Sequence, residues 1–267
     1  MKYLVDWDKF NGHYFHANLD WQKEKGEEGK KGGIKTSSII YQYVQAITKL
    51  FNSITHPNET DAIALPILFM IKHGIELGMK NIILTVCAYH LFYIEKLRGE
   101  DFKSRLDAKQ KAVSNKGHNL TELLALLNED FAEFRVQVEK EYGINMSSWL
   151  QNVPVFETFD DNKSNCQVAK ERVFVGDNAD KINFLDVLSD FAELFNKIDP
   201  YDSAFKYQTL KKGEAALGGV GKINIELLVC YFVEISYVLS YFEEPFADFF
   251  HDYDQWLNEF EEYLGPE

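Results

Sequence analysis

Four ionic side chains sit in an otherwise apolar run. Between Leu65 and Lys80 the sequence reads Leu-Pro-Ile-Leu-Phe-Met-Ile-Lys-His-Gly-Ile-Glu-Leu-Gly-Met-Lys. If this run is helical, Lys72, Glu76 and Lys80 at i, i+4 and i+8 share a face, and His73 lies three residues before Glu76. Such a cluster has the parts for phosphate binding or acid–base work. His73 serves as proton acceptor, Glu76 orients it, and Lys72 and Lys80 clamp negative charge. The competing reading is a satisfied polar network that ties the helix to its neighbours or to a second subunit. Charges on a core helix cost several kcal/mol, by rough estimate, unless they are paired or reach water.

His118, in Gly117-His118-Asn119-Leu120, is either a second imidazole for the same chemistry or a helix-start residue bonded to backbone. Phe205-Lys206-Tyr207 either lines the same cleft, with Lys206 and Tyr207 on phosphate, or packs its two rings as plugs. His13 and His16 are spaced for two metal ligands on a helix turn, but no acidic or thiol partner has matching spacing. No metal site or cofactor is therefore assigned. His90 and His251 lie among aromatics and acids and read as structural or surface residues. Gly213 to Gly221 lacks the strand–loop–helix setting and the Gly-Lys-Ser/Thr ending of a phosphate loop. It reads as a flexible hairpin.

The elements that must position these residues are mostly helical. Residues 1–35 form an aromatic and polar arm, ending in a Gly- and charge-rich loop from Gln22 to Gly33. Thr36 or Ser37 caps a helix to about Phe51, with Ile39, Ile40, Tyr43, Ile47 and Leu50 inward. Thr60 or Asp61 caps the central helix, which runs from about Asp61 to Leu97, apolar nearly all round and bent near Pro66. Arg98 to Lys116 reads as an exposed helix end and loop. Asn119 or Thr121 opens a helix buried through Leu120, Leu123, Leu124 and Leu127, and another follows from about Glu129 to Tyr142.

The region 150–222 changes character. Val153 to Phe159 and Glu171 to Val175 are short β-like runs around a turn, which predicts a hairpin. A helix follows at about Ile182 to Lys197, and two more, Ile223 to Phe242 and Pro245 to Leu264, close the chain. The fold class predicted is mainly α: about six or seven helices with a small β-containing insertion. The arm 1–35 precedes a helical domain over 36–267.

Composition narrows the partners. A net charge of −14, with 42 acidic against 28 basic residues, argues against non-specific nucleic-acid binding by the lone chain. A local basic cleft stays open, as does a basic partner. Cys87, Cys166 and Cys230 form no CxxC pair, which fits a reduced, cytoplasmic compartment. Asp6 and Asp8 interrupt any apolar leader. The two apolar helices carry Lys72, Glu76 and Lys80, or Glu226 and Glu234. An acid at mid-membrane costs on the order of 2.5–3.5 kcal/mol, so both are predicted to be core helices, with no membrane partner.

The order of these pieces resembles the HEPN-like helical proteins of bacteria. Lys72-His73, Glu76 and Lys80 are similar to the family's basic residue, His, Glu and Lys on one helix, and His118-Asn119-Leu120 to its His-polar-Leu. Asp199 through Tyr207 looks like an Asp…Ser…Phe-Arg-Tyr segment, and Ile223 to Leu228 like the last core helix, so the likeness spans roughly 60–245. It implies a HEPN-like bundle acting as a homodimer in a bacterial conflict system, either toxin–antitoxin or phage defence. It also implies metal-independent RNA cleavage, with His73, His118 and Glu76 catalytic and Lys72, Lys80, Lys206 and Tyr207 on phosphate. The chain departs from the nuclease members in two respects: no Arg is followed four to six residues later by His, and Lys72 and Lys206 stand where Arg is expected, without its planar fork for phosphate. The other functions in view are a catalytically silent module that dimerises or docks on a partner protein, and a binder of a nucleotide signal.

Overall fold

The computed structural model describes residues 36–142, 153–154, 181–182, 184–199, 223–242 and 250–251. Six α-helices stand among the described residues: α1 (Thr36–Asn52), α2 (Thr60–Tyr89), α3 (Gly99–Asn115), α4 (Leu120–Tyr142), α5 (Phe184–Ile198) and α6 (Ile225–Tyr241). This part of the chain is mainly α, as the periodicity predicts. A two-residue antiparallel pairing, Val153–Pro154 with Lys181–Ile182, is the β structure among them. The 1–35 arm and Gly213 to Gly221 lie outside the described residues. So do the hairpin expected over 153–159 and 171–175, apart from Val153–Pro154, and the 245–264 helix, apart from 250–251.

α2 packs against all five other helices. That placement follows from its sequence: Ile67, Leu68, Ile71, Ile75, Met79, Ile82, Ile83 and Val86 are buried on several sides of it. Fully burying such a side chain contributes about 1.5–3 kcal/mol. The partners are one-sided. α1 buries Ile40, Val44, Ile47 and Phe51, and α4 buries a stripe from Leu120 through Leu127, Phe131 and Phe134 to Val138. α5 adds Leu188, Phe191 and Phe195, and α6 adds Val229, Phe232, Ile235 and Leu239.

α2 and α6 approach closely because Gly74 and Gly78 carry no side chain. A Cβ on Gly74 would stand 2.7 Å from Phe232 Cζ, and one on Gly78 would stand 2.6 Å from Leu239 Cδ2. The two glycines flank Glu76 in sequence, so the backbone that carries the ionic cluster is seated by this contact.

Several local expectations need correction. α3 is a full helix, where a helix end and loop were expected. Its residues are good helix formers, and Glu100 and Asp101 in the first turn complement the helix dipole. α4 is one helix rather than two, because no Gly or Pro interrupts it and its apolar stripe continues unbroken from Leu127 to Phe131. α2 does not continue as α-helix to Leu97: it passes at Tyr89 into a π-helical turn, His90–Ile94. It is capped neither by Thr60 nor by Asp61. Glu59 occupies the N-cap position, and its carboxylate turns back to accept from the Thr55 and His56 amides at 2.6 and 3.1 Å. α2 is continuous through Pro66.

The segment Thr60–Ile94 is long and apolar enough to cross a bilayer. Half of its most apolar window is buried against the rest of the protein. A core helix has both properties.

Candidate functional site

α2 brings Glu76 into the interior at one helical turn from both His73 and Lys80, as the spacing predicts. The Glu76 side chain is 4% exposed. Lys80 Nζ donates to its Oε1 at 2.7 Å. On the other oxygen, Oε2, His118 Nδ1 stands at 2.8 Å and His73 Nδ1 at 3.5 Å. One buried carboxylate thus gathers two imidazoles and an ammonium, three groups able to donate to it.

The electrostatics follow from this geometry. Burial works against the charged form of Glu76, but hydrogen bonds from His73, Lys80 and His118 outweigh it and hold the carboxyl down at about 2. Glu76 is therefore an anion across the ordinary pH range. Burial, and then the Glu76 charge, push the nearby Tyr43 phenol up.

His118 reaches this position because of how α4 begins. Gly117 adopts a left-handed φ of +61°, which glycine takes without strain. Asn119 then caps the helix: its Oδ1 accepts from the Glu122 amide at 3.1 Å, and its Nδ2 donates to Glu122 Oε1 at 3.1 Å. This reciprocal cap bears out the sequence reading of Asn119. It fixes the first turn of α4 and so the residue before it. His118 is half exposed, and His73 is about one-third exposed. The His73 ring stacks on Phe69 and meets the edge of Tyr43 at centroid distances of 6.0 and 5.7 Å.

Lys72 has a different setting from the one its spacing suggests. Its Nζ donates to Asp199 Oδ2 at 2.8 Å, and both side chains are buried. Asp199 sits just past the end of α5, so this ion pair ties α2 to α5. Its role as a partner for Lys72 was missed from sequence. The residue follows the apolar stripe of α5 and precedes Pro200, and that position signals a helix end rather than a buried charge. The charge of Lys80 is likewise matched, by Glu76. Lys206 and Tyr207 lie outside the described residues.

A cavity of about 220 Å³ opens beside the cluster, lined by Lys72, Lys116, His118, Asn119, Thr121, Phe195, Asn196 and Asp199. It lies at the N-terminal end of α4, where the helix dipole favours an anion. The expected residues Lys72 and His118 line it, while Glu76 holds His118 at its edge.

A separate cavity of about 360 Å³ is lined by Val86, Cys87, His90, Glu95, Arg105, Lys109 and Asp130 among others. Lys109 pairs with Asp130 at 2.6 Å, and Arg105 with Glu95 at 3.2 Å. His90 contacts Glu95 at 3.6 Å and tilts on Phe134, the structural role expected of it. Cys230 is buried, and Cys87 is partly buried.

Compared with protein-family models, with curated proteins and with solved structures, the chain matches none of them.

Proposed function

We propose that this chain is a HEPN-like effector of a bacterial conflict system, and that the cleft at His118 cuts RNA by acid–base chemistry without a metal. The observation that carries this reading is the pair of imidazoles, His73 and His118, held on one oxygen of Glu76 beside a cavity at a helix N-terminus. In such a reaction one imidazole takes the proton of a ribose 2′-hydroxyl. The 2′-oxygen attacks phosphorus, the bond to the 5′-oxygen breaks, and the other imidazole protonates that leaving oxygen. Glu76, anionic and buried, fixes the ring orientation of both. Lys116, the α4 amides, Lys206 and Tyr207 are the groups assigned to the phosphate. The protein acts in the reducing cytoplasm as a homodimer.

A second reading has its own support. Lys72 and Lys80, two of the cations expected on phosphate, are both engaged inside the protein, by Asp199 and Glu76, and Lys116 pairs with Glu122 at 3.3 Å. A polar network so matched suits a silent module that dimerises or docks on a partner of the same system, or one that takes a nucleotide signal in the cavity.

The test is incubation of the protein with total RNA in excess chelator, beside a His118→Ala variant. Cleavage by the wild type that is lost in the variant supports the nuclease. Intact RNA with both overturns cleavage and leaves the docking module. Cleavage retained in the variant overturns the site.

A further inference from the structure

We infer that His73, Glu76 and His118 form a binding site for a zinc-class divalent cation. One ligand atom from each residue lies within 4.8 Å of the others. Ligands at 2.0–2.2 Å around a tetrahedral ion stand roughly 3.4 Å apart. His73 Nδ1 is already 3.5 Å from Glu76 Oε2, and His118 Nδ1, at 2.8 Å, has only to withdraw slightly. The set, two imidazoles and one carboxylate, is that of open catalytic-type sites, with a fourth position left for water or ligand.

The surroundings suit this use. Glu76 presents Oε2 to both histidines, while Lys80 holds Oε1 from the other side and fixes the carboxylate plane. His73 and Glu76 are set by one turn of a buried helix, and His118 by the capped start of α4, so two rigid elements supply the three ligands. His118 also lines the neighbouring cavity, which gives an ion a route in. Two imidazole nitrogens select zinc, cobalt, nickel or copper over magnesium and calcium, which prefer oxygen. The charge of Lys80 opposes a cation, but it sits on the far oxygen.

The inference stands apart from RNA cleavage. An ion here would replace the contacts of both imidazoles with Glu76, so it would compete with the acid–base role rather than serve it.

The test uses full-length protein stripped by chelator and then dialysed free of it, titrated with Co²⁺ alone. Binding is followed by visible absorption, for the wild type, His73→Ala and His118→Ala, with thermal melts to confirm that each is folded. The expected result is one ion per chain with d–d bands of tetrahedral intensity. Affinity falls at least tenfold in either variant, and millimolar Mg²⁺ does not displace the ion. A wild type that binds no Co²⁺ overturns the inference. So does binding that is equally tight in both variants, or ready displacement by Mg²⁺.

Discussion

His118 Nδ1 stands 2.8 Å from Glu76 Oε2, although the two residues are 42 positions apart in the chain. The contact joins the start of α4 to the middle of α2. It turns two unconnected sequence features, a helical ionic row and a histidine before a cap, into one network. Two elements of the fold thus meet on the same carboxylate.

The charge of Glu76 sets a pH signature. Its carboxyl is held at about 2 in the folded protein against an ordinary 4.5. A depressed folded value means that the stabilisation is fully present above about 4.5 and is lost as pH falls towards about 2. The stability gap between wild type and Glu76→Gln, measured by urea denaturation in chelator, therefore narrows by about 1–3 kcal/mol over that window. A gap that stays constant with pH contradicts the network.

Lys72 and Asp199 are buried together, so removing one strands the other. Lys72→Met destabilises by about 3–5 kcal/mol, and Asp199→Leu by a similar amount. The double variant, with no charge left unpaired, loses less than the sum of the two. Equilibrium denaturation of all four proteins measures this, and strict additivity would mean that the ion pair carries no coupling.

Gly78 admits no side chain without displacing Leu239, whose Cβ, Cγ and Cδ2 would all lie within 2.9 Å of a new methyl. Gly78→Ala should lower stability by about 1–3 kcal/mol, even though alanine favours a helix. Trimming Leu239 to Ala in the same protein relieves the clash but opens a cavity. A Gly78→Ala variant more stable than wild type would show that α2 and α6 are not in contact there.

Asn119 caps α4 next to His118. Asn119→Ala costs about 1 kcal/mol of stability, read from the melting temperature. Asn119→Asp keeps the accepting oxygen and retains most of it. Equal losses in the two variants would remove the cap from the account.

Part of this was legible in sequence. Helical spacing alone puts His73 and Lys80 within one turn of Glu76, because the α-helix is a fixed ruler. The cap at Asn119 was readable for the same reason. The pairing of Lys72 with Asp199 was not, since it depends on how α5 lies across α2, and no local pattern encodes that. The helix Gly99–Asn115 is hard to read from sequence because it is charged and exposed, with Val113 its buried residue, so its apolar periodicity is faint. No break falls near Asn128, because the apolar stripe runs on from Leu127 through Phe131.

Whether Glu76 and His118 act as one unit is read from a double-mutant cycle in stability with Glu76→Met and His118→Ala. The expected coupling between them is about 1–2 kcal/mol. A coupling of zero within about 0.3 kcal/mol would show that the two side chains do not meet.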